Sequence, residues 1–143
     1  MIVYLCKYLD DIMKWIWVMK CVCNDISISE SEFGLQICFS DEVDNDMKSQ
    51  NDKCDSLVNY ILLQRTYPED DFEEDYSYIE FSDFGESGVL KNYKMDLYKN
   101  RLLLYYKNKN IEIHFDVNES KYEQIKKVIR DIVNHNGELI IHD

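Results

Sequence analysis

Residues 95–117 read MDLYKNRLLLYYKNKNIEIHFDV, three short apolar-aromatic runs cut apart by KNR and KNKN. Few folds absorb that pattern. Each run is too short for a stable helix, and Asn100, Asn108 and Asn110 supply turn chemistry between them. The spacing predicts a meander of strands near 94–98, 101–107 and 110–117. Immediately afterwards the period changes. Ser120 and Glu123 stand in capping-box spacing, where the hydroxyl and the carboxylate can satisfy amides of a first helical turn. Tyr122, Ile125, Val128, Ile129, Ile132 and Val133 then share one helical face, which predicts a helix over 120–134. Gly137 is placed to end that helix in a left-handed cap, and ELIIH at 138–142 reads as a last short strand. A helix on a mostly antiparallel sheet is an α+β domain, and about six or seven strands are expected.

Upstream, FGLQICF at 33–39 alternates, with Phe33, Leu35, Ile37 and Phe39 on one side. It reads as a strand paired back onto an apolar strand near 15–25, across the polar, turn-like SISESE of 27–32. Residues 1–14 are expected to be a short helix or a loosely ordered extension, because Leu5, Leu9, Ile12 and Ile16 recur at helical spacing. Residues 15–143 then form the single domain. The stretch 40–55 reads as a solvated loop, 57–67 as a central strand, and 76–81 as a short strand before a turn at Gly85 and Gly88.

Charge narrows the function. The 143-residue chain carries a formal net charge of −12, with 28 acidic and 16 basic residues. Residues 1–90 hold 20 of the acids and 6 of the bases, so the excess lies wholly in the first two-thirds. Nucleic acid and anionic membrane both require basic surface, so neither is expected as a partner. A basic protein is. The acid peaks at Glu69, Asp70, Asp71, Glu73, Glu74 and Asp75, with Phe72 and Tyr76 among the carboxylates. Aromatic side chains anchor interfaces, whereas carboxylates at a rim chiefly steer association. Residues 69–76 are therefore the expected partner-binding segment, set against the plainer reading of a solubilising loop.

Catalytic and metal-binding patterns are not expected. Asp41, Asp44, Asp46 and Asp52 crowd one stretch, but neither register places glycine at the sixth position of a calcium loop. Cys21 and Cys23 form a C-x-C pair with Cys38 on a strand expected beside them. Alternate cysteines on a strand are ordinarily small buried hydrophobes, and a structural zinc site wants four ligands. The odd count of five cysteines fits no disulfide framework, so a reducing cytoplasm is the expected compartment. His114 should face opposite Ile113 and Phe115, and His135 should close the helix. None of the three histidines stands in a recognisable nucleophile setting, so no enzyme activity and no cofactor are expected.

Several of these pieces, in this order, resemble the immunity protein 10 family of bacterial polymorphic toxin systems. They are YILLQR (60–65), the acidic stretch, YIEF (78–81) and the FGESG turn. The hairpin DLYKNRLLLYY, the strand IEIHFDV and the helix KYEQIKKVIRDIV complete the set, and the upstream hairpin fits more loosely. The resemblance implies a small cytoplasmic α+β protein that binds and neutralises a cognate toxin effector domain in a stoichiometric complex. Charge makes a nuclease the natural basic toxin. The alternative is an acidic adaptor or nucleic-acid mimic that restrains another basic protein.

Overall fold

The computed structural model describes residues 2–9, 14–41, 60–69, 75–81, 87–107 and 109–143, with backbone alone for 2–9 and 14–18. The described strands are β1 (Ile2–Leu9), β2 (Lys14–Val22), β3 (Asp25–Ser31), β4 (Gly34–Ser40), β5 (Tyr60–Thr66) and β6 (Tyr76–Phe81). They continue with β7 (Gly88–Leu90), β8 (Tyr93–Tyr98), β9 (Arg101–Tyr106) and β10 (Lys109–His114), then helix α1 (Glu119–Ile132) and β11 (Gly137–His142). Two sheets result. One has six strands in the order β1-β2-β10-β9-β8-β11, the other five in the order β3-β4-β5-β6-β7. The fold is α+β and mostly antiparallel; β2–β10 and β8–β11 are the parallel pairs.

The expected meander is present as β8, β9 and β10, and the segment expected to be a central strand is β5, lying between β4 and β6. Other expectations are corrected. Ile2–Leu9 is a strand, neither helix nor loose extension, and pairs with β2 from Ile2↔Cys21 to Leu9↔Lys14. Its β-branched and aromatic residues find a full-length ladder partner, which outweighs the helical spacing of the leucines. Residues 25–31 are likewise a strand. Ile26 and Ile28 alternate with Ser27 and Ser29, and the polar composition hides a period of two. As a result β4 pairs with β3 and β5, not with β2, which covers most of the expected partner strand near 15–25. Strands therefore number more than six or seven, and they divide between two sheets.

One hydrophobic cluster joins both sheets and the helix. Leu35, Ile37, Phe39, Ile61, Leu63, Ile79 and Phe81 come from the five-stranded sheet, and Met95, Leu97, Leu102, Leu104, Ile111 and Ile113 from the six-stranded one. Tyr122, Ile125, Val128, Ile129 and Ile132 are the buried stripe of α1, which lies against β4 and β5. Fully burying each such side chain stabilises by about 1.5–3 kcal/mol. No described helix is long and apolar enough to cross a membrane.

Both helix ends differ from the sequence expectation. Asn118, not Ser120, is the N-cap: its side chain accepts from the Lys121 amide at 2.8 Å. Replacing Asn118 by Ala should cost about 1 kcal/mol. Ser120→Ala should change stability by less than about 0.5 kcal/mol. Urea midpoints of the two variants check the assignment. At the other end Val133 is an extended cap, and Gly137 opens β11. The helix's last carbonyls are satisfied from the neighbouring sheet. Ser77 Oγ donates to the Ile132 carbonyl at 2.6 Å, and Arg65 Nη1 to the Asp131 carbonyl at 2.6 Å.

A candidate binding face

The two sheets each bury one face, so the comparison that matters is between their outward faces. Cross-strand register fixes which residues share each. On the six-stranded sheet one row reads Ile140–Asp96–Leu103–Glu112–Lys20 and the next His142–Tyr98–Arg101–His114–Val22. This face is charged and internally paired. His142 Nε2 lies 2.9 Å from Asp96 Oδ1, and His114 Nε2 lies 3.2 Å from Glu112 Oε2. The His142 ring stacks on Tyr98 at 4.3 Å, and the Arg101 guanidinium sits 4.4 Å over Tyr98. Such a surface is an ordinary solvated sheet face. Beside it, a cleft of about 430 Å³ is lined by Tyr98, Phe115, Val117 and His142 among others.

The five-stranded sheet is different. Its outward rows are Ser27–Cys38–Leu62–Glu80, Ser29–Gln36–Gln64–Tyr78–Val89, and Ser31–Gly34–Thr66–Tyr76, with Tyr60 beyond Leu62 on β5. The formal charges on this face are Glu80 and, at the far end of the Tyr60 row, Asp25; the Tyr60 hydroxyl donates to Glu80 Oε2 at 3.2 Å. Burial, then the nearby Glu80 carboxylate, raises the Tyr60 pKa. In a chain with 31% charged residues, a half-buried face of tyrosine, glutamine, leucine and valine is a departure. Protein interfaces show the same departure: charge is depleted at their centre and tyrosine enriched.

The expected acidic segment springs from this face. Thr66 and Tyr76 are cross-strand partners, so residues 67–75 connect β5 to β6 at the Tyr76 end of the rows. Of the expected partner-binding residues, Asp70, Asp71, Phe72, Glu73 and Glu74 lie outside the described residues. Glu69 is exposed, and Tyr76 is half-buried on the face just described.

Asp75 has a structural task. Its carboxylate takes the Arg65 fork, with Nε to Oδ1 at 2.9 Å and Nη2 to Oδ2 at 2.5 Å. Its carbonyl accepts from Asn134 Nδ2 at 3.2 Å. Asp75 thus ties the root of the acidic segment to the end of α1, and its charge is neutralised inside the chain. The hydrogen bonds from Arg65 hold the carboxyl below its ordinary pKa. A depressed carboxylate stabilises the fold above its unfolded-state pKa, and the contribution disappears as pH falls through the folded-state value. We expect Asp75→Asn to cost about 1–2 kcal/mol at neutral pH and the gap to close in acid, read from urea midpoints at several pH values.

The cysteines also separate. Cys21 and Cys23 are buried at the end of β2, whereas Cys38 belongs to the other sheet and lies beside Ser27 and Leu62, not beside them. Burial raises the Cys21 pKa and pushes the Cys23 thiol up to about 12, so both remain thiols. Cys23 Sγ donates to the Asp25 carbonyl at 3.0 Å. Among the described residues, no group of three or more His, Cys, Asp or Glu could hold a metal ion. The residues considered for a calcium loop lie outside the described ones, apart from Asp41. His114 stands as expected, half-buried between buried Ile113 and Phe115.

Sequence reasoning found Tyr76 but passed over Tyr60, Leu62 and Tyr78. For Tyr60 and Leu62 the signal was the apolar run YILL: a strand apolar on both sides needs something against each side. Among the described residues the architecture is α+β, with one helix packed on β4 and β5 and two sheets of unequal character. No known family, curated protein or solved structure matches the chain.

Proposed function

We propose that the protein acts by binding, through the outward tyrosine face of the five-stranded sheet, as an immunity protein that neutralises a cognate bacterial toxin effector domain. The observation that carries the binding reading is the charge-poor patch of Tyr60, Leu62, Gln64, Tyr76 and Tyr78 in an otherwise highly charged chain. The toxin is the partner favoured by the resemblance of residues 57–133 to immunity proteins, and the net charge of −12 favours a basic one such as a nuclease. Tyrosines supply the desolvated anchor, and the carboxylates of residues 69–74 accelerate encounter from the rim.

Co-expression with the effector domain encoded beside this chain is the test. Rescue of growth together with a one-to-one complex that survives purification supports the reading. A neighbouring effector that neither binds nor is neutralised overturns it. Capture instead of a basic host or phage enzyme would support the adaptor reading.

A further inference from the structure

The five-stranded sheet has a second surface at right angles to its tyrosine face: the free edge of β3. Strand β3 pairs with β4 along its whole length, from Asp25↔Ser40 to Ser31↔Gly34 without a bulge. Among the described residues nothing pairs along its other side. Alternate N–H and C=O groups of a seven-residue strand therefore point outward, and Asp25, Ser27, Ser29, Glu30 and Ser31 are all exposed. Proteins normally blunt such an edge with lysine, proline, a bulge or a very short strand. The opposite edge of this sheet, β7, is three residues long. Strand β3, reading DISISES, has no lysine, proline or bulge and is seven residues long, so only its carboxylates protect it.

Its one guard is selective. Glu30 shares a side with Ile26 and Ile28, so a carboxylate stands where an incoming strand would place a side chain. The adjoining sequence carries the same sign: residues 21–41 contain four carboxylates and no lysine or arginine. A second copy of this chain pairing through β3 would bring together two strands whose charges, Asp25 and Glu30, are all negative. Like charges across a strand pair are destabilising, and opposite charges stabilising. At the tip of the hairpin Phe33 is 59% exposed. Its backbone is held at both ends, the amide donating to Ser31 Oγ at 3.2 Å and the carbonyl accepting from the Tyr67 amide at 2.9 Å. The ring is therefore presented outward on a fixed base, next to the end of the free edge.

We propose that β3 is a strand-addition edge that receives a basic, extended segment of a partner protein, paired along Asp25–Ser31 with Phe33 as a hydrophobic stop. Main-chain hydrogen bonds supply the affinity, and the carboxylates select the sign of the incoming strand. This edge borders the tyrosine face, whose rows end on it at Ser27, Ser29 and Ser31, and it does not require the partner to be a toxin.

The test needs no natural partner. The probe is a capped peptide alternating lysine and valine, the same length as β3. Its controls are the glutamate–valine counterpart and two versions N-methylated on alternate residues in either phase. Amide chemical shifts and hydrogen exchange of the intact protein are the readouts. Shifts and new protection should concentrate on Asp25–Ser31, the glutamate peptide should bind about tenfold or more weakly, and N-methylation should abolish binding in one phase only. The double variant Ser27→Lys, Ser29→Lys should remove binding of the lysine peptide, with its own shift changes confined to β3 and its neighbour β4. If neither methylated phase matters, or the shifts fall elsewhere, the edge is not an acceptor and the peptide is held by charge alone. Failure here leaves the toxin reading standing, and failure of co-expression rescue leaves this edge standing.

Discussion

Replacing Gly137 by alanine is expected to destabilise the fold by about 3 kcal/mol, lowering the melting temperature by roughly 10 °C. A Cβ at that position would lie 2.2 Å from Tyr93 Cζ and 2.3 Å from a second ring carbon. The ring has nowhere to retreat. Tyr93 is 3% exposed, and its hydroxyl accepts from the Asn134 amide at 3.1 Å and lies within reach of Ser77 Oγ and Asn134 Oδ1. Moving the ring therefore breaks the network that satisfies the end of α1; moving β11 instead breaks its parallel ladder with β8. Gly88 is the control, because a Cβ there meets nothing within 4 Å. Gly88→Ala should be close to neutral. A thermal scan of the two variants separates a packing requirement from a general preference for glycine. Equal melting temperatures would mean that Tyr93 yields freely.

The second large effect concerns binding. Tyr78 lies at the middle of the charge-poor rows and Tyr76 at their acidic end. Truncating an interface tyrosine at a desolvated centre typically costs about 2–4 kcal/mol. The double variant Tyr76→Ala, Tyr78→Ala should thus weaken the effector complex by at least about a hundredfold. Most of the loss should appear as faster dissociation, because the charges that steer encounter are untouched. Both side chains are on the outward face, so urea stability should change little. Arg101→Ala, on the outward face of the other sheet, should bind as wild type. Titration of the two variants and the wild type by calorimetry decides which sheet carries the contact. Wild-type affinity in the double variant would exclude the tyrosine face.

Legibility from sequence followed how local the signal was. The meander β8–β10 and the helix were readable because asparagine turns and a 3.6-residue period lie within a few residues of what they specify. The cap was misplaced by two residues because Asn118 and Ser120 are both good capping residues, and only backbone geometry chooses between them. Strand β1 was missed because what makes Ile2–Leu9 a strand is its ladder with β2, a partner that periodicity within the segment does not reveal. Asp75 was counted with the binding carboxylates because its Arg65 partner is ten residues away on another strand. The tyrosine face was half legible. Tyr76 was noticed for standing among acids, whereas Tyr60 and Tyr78 required knowing that β5 and β6 are neighbours.

The two sheets differ in one more respect, which concerns time. Strands β3 to β7 follow one another in the chain in the same order as they lie in their sheet, so each pairing closes a local loop. The six-stranded sheet joins β2 to β10, and the entire five-stranded sheet lies between them in sequence. Closing so long a loop costs more entropy, and pairings of that kind form late. The ladders behind the tyrosine face and the β3 edge are thus expected to close before the ladder between β2 and β10. The surfaces assigned to partners would be on display before the protein has finished its own core.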